Sequence, residues 1–387
     1  MRKVYMDYAA TTPVDPGVIE AMLPFFNEKF GNTMSLHRVG QEAKFALEES
    51  RETIAKAIKA ENEEIFFTGS ATESNNLALK GVAFANRKKG KHIIISQIEH
   101  PCVMKSSKWL EDQGFEVTRL PVDQYGLVNP ADVERSIRKD TILVSIMHAN
   151  NEIGTIEPIK EIGKICSEKG VYFHTDAAQT FGKLDIDVKE ISIDMLTASS
   201  HKMYGPKGAA CLYLKKGTRI EPILHGGGHE KGLRASTVNI PAIVGFAEAT
   251  KICMEEMETE GRRTMVLRDK LIDGALNIEN STLNGHPSQR LPNNTNFSFS
   301  FIEGESMVML LDSYGVSAST GSACSSEKLE PSYVLLSTGL PLQLAHSSLR
   351  LSLGIWTDEE DVDYVLEVLP EVIERLRKIS PFRSRFG

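Results

Sequence analysis

Lys202 sits in "ASSHKMYGPKGAACLY" (198–213), a charged side chain between two apolar segments and among Ser199, His201 and glycines. A lysine there is either a solvated loop residue or an amine able to condense with an aldehyde. Asp176 follows the apolar run "VYFHT" in "HTDAAQTFG" (174–182), with Gln179 three residues on. A carboxylate at a strand end either caps the next helix or faces a ligand in the crevice above a parallel sheet. "GSATESNN" (69–76) joins a strand to a helix, and its N–H groups with the Thr72 hydroxyl make either an anion site or an ordinary N-cap. "SASTGSACSS" (317–326) surrounds Cys324 with residues too small or polar to fill a core. That thiol is either incidental on a surface loop or placed where its sulfur can be reached.

An amine, a strand-end carboxylate and an anion-binding turn together suit an aldehyde cofactor such as pyridoxal phosphate, with Lys202 as its Schiff-base partner. Ser199 and His201 are then natural phosphate ligands.

These residues need a scaffold, and the hydrophobic pattern supplies one. From about residue 42 to 260 helices alternate with short apolar runs: "EEIFFT", "HIIIS" (92–96), "ILVSIM" (142–147), "VYFHT" (171–175) and "AACLYLK" (209–215). Apolar strands separated by helices predict a mostly parallel sheet covered on both faces, an α/β fold. "EAKFALEESRETIAKAIKA" (42–60) carries Phe45, Leu47, Ile54 and Ile58 at helical spacing, and Gly170 is a C-terminal stop for "PIKEIGKICSEKG". After about 260 the pattern changes. "NFSFSF" (296–301) alternates strictly, which predicts a half-exposed strand with Phe297, Phe299 and Phe301 on one face. A long terminal helix follows, with Thr357 and Glu360 as its capping box and a kink at Pro370. The expected organisation is a large domain over 15–260, and a smaller α+β domain over 1–14 and 261–387 that carries the Cys324 loop and Arg350.

Composition narrows the setting. Hydrophobic residues at 41%, charged residues at 25% and a formal net charge of -8 describe a globular chain without the basic face of a nucleic-acid binder. Five scattered cysteines form no CxxC pair, and no secretory signal or bilayer-length apolar run is present. A reducing, cytoplasmic location without direct nucleic-acid or membrane binding is expected.

The motifs "YMDYAATTPVDP", "ATESNNLALKG", "EHPCV", "MHANNEIGTI", "HTDAAQTFGKL", "SSHKMYGPKG", "HGGGHEKGLRAST", "GSACSS" and "SSLRLSLG" occur in this order from about residue 4 to the C-terminus. This series resembles the class V aminotransferase branch of the fold-type I pyridoxal-phosphate enzymes, and most closely the cysteine desulfurases of the NifS/IscS type. The resemblance implies a seven-stranded, mostly parallel sheet in the large domain. It also implies Lys202 bound to the cofactor, Asp176 paired with its pyridine nitrogen, and His100 stacked on the ring and relaying protons. Asn151 and Gln179 would hydrogen-bond near the ring oxygen. Ala71, Thr72, Ser199 and His201 would hold the phosphate, joined by Thr237 across a homodimer interface. Arg350 and Asn32 would hold the carboxylate of L-cysteine. Lys202 would remove the α-proton, Cys324 would take the sulfur as a persulfide, and alanine would leave. The sulfur would pass to an iron–sulfur scaffold protein or another acceptor.

The alternatives are a related class V enzyme, either a selenocysteine lyase or an aminotransferase, and a non-catalytic sulfur-relay subunit. The chain departs from the family pattern at Gly69-Ser70, Thr33-Met34, Ala235-Ser236, Tyr333 and Ile355. The Ala235-Ser236 departure removes a glycine just before Thr237.

Overall fold

The structure, a computed structural model, describes residues 2–321 and 330–381. Its strands are β1 (Val4–Tyr5), β2 (Ile65–Thr68), β3 (His92–Ser96), β4 (Glu116–Leu120), β5 (Thr141–Ser145), β6 (Tyr172–Asp176), β7 (Met195–Ser199), β8 (Ala210–Leu214), β9 (Ser281–Leu283), β10 (Asn294–Phe299), β11 (Val316–Ser317) and β12 (Ser348–Ser352). Seven of them form one sheet in the order β2-β8-β7-β6-β5-β3-β4. Only β8 runs against its neighbours. The mostly parallel seven-stranded sheet expected from the motifs is therefore present.

The apolar strands are apolar because helices cover both faces. Ile94, Val144, Phe173 and Leu196 point into one core, with the helix Arg38–Ala57 and the first half of the helix Ile240–Leu276. Ile93, Ile95, Leu143 and Leu212 point into the opposite core beneath the helix Ala71–Asn86. Burying a side chain such as Phe173 is worth about 2–3 kcal/mol before chain entropy is counted. Gly170 ends the helix Ile159–Lys169 with φ of 65°, the left-handed conformation that glycine adopts without steric cost. Phe45 is the exception to its helix's expected face. It is 65% exposed, while Leu47, Ile54 and Ile58 are buried.

A three-stranded antiparallel sheet, β12-β10-β9, and the short β1-β11 pair form a second cluster with the terminal helix Glu359–Ile379. The helix Ile240–Leu276 runs between clusters. Ile243 and Phe246 pack in the first, and Leu267 and Leu271 in the second.

Three local expectations are corrected here. β10 is buried on both faces rather than half-exposed, because Asn296 and Ser298 enter a hydrogen-bonded layer with Asn284 instead of facing water. Phe301 lies beyond the strand at φ of 75°, so it does not share the face of Phe297 and Phe299. The terminal helix is capped by Asp358 and Asp361, not Thr357 and Glu360, and Thr357 Oγ1 instead accepts from Gly354 N. That helix runs from Glu359 to Ile379 with Pro370 inside it.

Candidate active site

Five strands, β2, β3, β5, β6 and β7, deliver their C-terminal ends to one edge of the large sheet. Each is followed there by a residue picked out from the sequence. A parallel sheet forces this convergence, because successive crossovers return every strand in the same direction.

Asp176 is the last residue of β6 and is buried. Its Oδ1 accepts from Ala178 N at 3.0 Å and its Oδ2 from Asn75 Nδ2 at 2.6 Å. Asn75 comes from the helix Ala71–Asn86 and is fully buried, yet sequence reasoning gave it no role. Its only signal was a polar residue on the inward face of that helix.

Lys202 ends the short 3-10 turn Ser200–Lys202 after β7. Its Nζ donates to the carbonyls of Ala9 and Ala10, each at 2.7 Å. Gln179 Nε2 donates to the same Ala9 carbonyl at 2.9 Å, so one N-terminal segment gathers both residues. Lys183, in the "FGKL" motif, was also missed. Its Nζ donates to Lys202 O at 2.9 Å and Gln179 O at 3.2 Å, and burial lowers its pKa to about 8.

His100 is the N-cap of the helix Pro101–Asp112, and its Nδ1 accepts from Cys102 N at 3.2 Å. Burial lowers its pKa; the Asp176 charge opposes that shift and Lys202 adds to it. The charges of Asp176 and Lys202 therefore both bear on the His100 ring. His201 Nδ1 lies 3.1 Å from Thr11 Oγ1, and burial, with Lys202, Lys207 and Lys183, lowers its pKa to about 4. Ser199 closes β7 and is buried.

Ala71 and Thr72 open the helix Ala71–Asn86, whose N-cap Ser70 accepts from Glu73 N. The reversed Gly69-Ser70 order thus still supplies a capping hydroxyl, and the helix N-terminus can receive an anion.

Arg350 in β12 is 2% exposed. Its Nη1 donates to Asn151 O at 3.0 Å and its Nη2 to Asp7 Oδ1 at 2.8 Å. Its buried Nε has no partner among the described residues. Asn151 therefore contributes its carbonyl, while the neighbouring Asn150 builds the turn by accepting from Glu152 N and Ile153 N. The Tyr333 departure places a hydroxyl on Glu99 O, next to His100.

Two selected residues are exposed and make no hydrogen bond to the other site residues among those described. Asn32 is exposed and spends its Oδ1 on Met34 N. Thr237 is exposed and follows Ser236, whose φ is 143°. The glycine lost at that point would have accepted this backbone without strain. Cys324 lies outside the described residues.

The donor set fits pyridoxal phosphate. The cleft holds an amine, a buried carboxylate with lone pairs to spare, an imidazole and a helix N-terminus, and an orphaned guanidinium N–H lies beside it. No group of three or more His, Cys, Asp or Glu side chains suited to a metal ion occurs among the described residues.

The sequence model of a family described as aminotransferase class-V matches residues 4–365. A cysteine desulfurase IscS of Methanosarcina thermophila is 55% identical over 384 residues, 99% of this chain and 95% of that protein. Among solved structures, a NifS-like protein superposes with a TM-score of 0.92 at 39% identity, covering 97% of this chain and 100% of that one. The structure of SspA in complex with cysteine gives 0.82 at 38% identity, covering 91% and 99%. With the amine, carboxylate and imidazole gathered at the strand ends of a matching fold, the chain belongs to the class V aminotransferases, the fold-type I pyridoxal-phosphate-dependent family, and within it to the cysteine desulfurases.

Proposed function

We propose that this protein converts L-cysteine to L-alanine and passes the sulfur on as a persulfide. The observation that carries this reading is the placement of Lys202, Asp176 and His100 at the C-terminal ends of strands in one sheet, together with the helix N-terminus at Ala71 and Thr72. The similarity to proteins named cysteine desulfurase, and to a structure holding cysteine, supports the choice of substrate.

Lys202 is the residue that would join the cofactor, and Asp176 would pair with its pyridine nitrogen. Gln179 and Asn151 would hydrogen-bond near the ring oxygen. Ala71, Thr72, Ser199 and His201 would receive the phosphate, with Thr237 contributed to the partner subunit's site. When bound, pyridoxal phosphate supplies an electron sink for the charge left at the substrate α-carbon. Arg350 binds the substrate carboxylate through its fork of N–H groups, supported by Asn32. The Lys202 amine would take the substrate α-proton and return it, with His100 as the second proton carrier. The Cys324 thiolate attacks the substrate sulfur; the carbon–sulfur bond breaks and a sulfur–sulfur bond forms. L-Cysteine and one enzyme thiol thus yield L-alanine and one enzyme persulfide, with atoms and electrons balanced.

The division into 15–260, and 1–14 with 261–387, is supported by the two core clusters. The boundary falls inside the helix Ile240–Leu276, which is why no linker is visible in the sequence. A homodimer is supported by Leu23, Phe26, Phe30, Leu36 and Phe45, all large apolar side chains left exposed on one protomer. The persulfide acceptor is an iron–sulfur scaffold protein or a comparable sulfur carrier. No helix among the described residues is long and apolar enough to cross a membrane.

Purified protein incubated with pyridoxal phosphate and L-cysteine should release alanine. Mass spectrometry of the Cys324 peptide should show one added sulfur. Alanine without that added sulfur would overturn the persulfide step, and transamination surviving in Cys324→Ala would favour an aminotransferase.

A further inference from the structure

Cys102 follows His100 by two residues at the start of the helix Pro101–Asp112, and nothing in the proposed reaction uses it. Its sulfur is 3.0 Å from His100 Nδ1 and 3.2 Å from Asn75 Nδ2. The direction of each bond follows from donor chemistry. The Asp176 carboxylate can only accept, so the Asn75 group facing it is the amide nitrogen. That nitrogen has a second hydrogen, which points at the Cys102 sulfur. The Cys102 backbone N–H can only donate, so His100 Nδ1 is an acceptor. The Thr72 hydroxyl also bonds this sulfur, as a donor like Asn75, so the thiol hydrogen is left for His100 Nδ1.

We propose that Cys102 is a positioning residue for His100: its thiol hydrogen and its amide both address Nδ1, so the ring keeps its single proton on Nε2. The chain Asp176–Asn75–Cys102–His100 thus ties the carboxylate to the imidazole without a direct contact. Burial, with the Asp176 charge, pushes the Cys102 thiol up to about 12, which keeps it a donor rather than a thiolate. The charges facing the ring are Asp176 on β6, which favours imidazolium, and Lys202 after β7, which opposes it. Glu99, next to the ring in sequence, directs its Oε1 to Ser96 Oγ and Met147 N. A donor on Nδ1 stabilises neutral imidazole, and Nε2–H becomes the proton available to the cleft.

This inference rests on His100 acting as proton carrier, but its test reads the ring directly. Protein labelled with nitrogen-15 histidine, with and without pyridoxal phosphate, is titrated by NMR, and His100 is assigned from the His100→Gln spectrum. Wild type should show the Nε2–H tautomer. Cys102→Val replaces the thiol with a slightly larger apolar group and removes the donor, and should raise the His100 pKa by about half a pH unit. Cys102→Ser restores a donor and should return it to wild type, and the acid limb of kcat/KM should move in step. Should Cys102→Val fail to fold, Cys102→Ala is read in the same way. The proposal is overturned if wild type carries the proton on Nδ1, if removing the donor leaves the pKa unchanged, or if serine shifts it as far as valine. Loss of alanine formation in His100→Gln tests the underlying role separately.

Discussion

Arg350 Nη2 donates to Asp7 Oδ1 at 2.8 Å, while Nε of the same guanidinium is buried without a partner among the described residues. One edge of the fork is held by the protein and another N–H is left for a ligand. Arg350→Lys loses the planar fork but keeps the charge. KM for L-cysteine should rise roughly tenfold to a hundredfold, with kcat changed far less. Steady-state kinetics of alanine formation check this, and an unchanged KM would remove Arg350 from the carboxylate site.

Asp176→Asn preserves shape and leaves Asn75 an oxygen to bond, but removes the negative charge. Alanine formation should fall by about a hundredfold, the loss expected when one charge-assisted bond of about 3 kcal/mol disappears from the reacting state. Cofactor absorbance should also decline faster during dialysis. A variant that turns over at the wild-type rate would assign the ring nitrogen to another partner.

The pH dependence of stability has two opposing parts. Burial lowers the pKa of His148 and His174 to about 4, so the unfolded chain takes up protons first as pH falls below about 6.5, and stability is lost from there down to about 4. Burial raises Glu99 to about 8, so the unfolded chain releases that proton first as pH rises from 4.5, and stability is lost from there up to about 8. Glu99→Gln removes only the second part. Its stability relative to wild type should increase by on the order of a few kcal/mol between pH 5 and pH 8. Urea midpoints at both values measure it, and a gap that does not grow with pH would contradict a neutral buried Glu99.

Ser236 stands at φ of 143°, backbone that a residue with a Cβ rarely adopts. Ser236→Gly should stabilise the protein by about 1 kcal/mol. Thermal unfolding of the two proteins side by side is the measurement, and an unchanged or lower midpoint would show that the serine is held without strain.

Much of the site is legible in the order and types of the residues. Lys202, Asp176 and the 69–76 turn occur where apolar strands end, and a parallel sheet brings strand ends together whatever the loops between them do. Leu47, Ile54 and Ile58 obey their helical period, whereas Phe45 does not, because its neighbours leave it facing outward. "NFSFSF" misleads because alternation reports two different faces and not which of them meets water. The polar face of β10 is dry, satisfied by Asn284, which lies in a separate segment.

The sequence by itself determined the sheet, the strand-end placement of the amine and the carboxylate, and the family. Those depend on short-range periodicity and on residue types that do recognisable chemistry. Only the tertiary structure decided how these groups are held. Asn75 reaches Asp176 across 101 residues, and Asp7 reaches Arg350 across 343. Bonds between such distant segments leave no periodic trace, because they depend on how whole elements pack. Cys102 is the clearest case. In the sequence it is a small residue at the start of a helix; in the fold, its sulfur lies between the amide bound to Asp176 and the imidazole of His100.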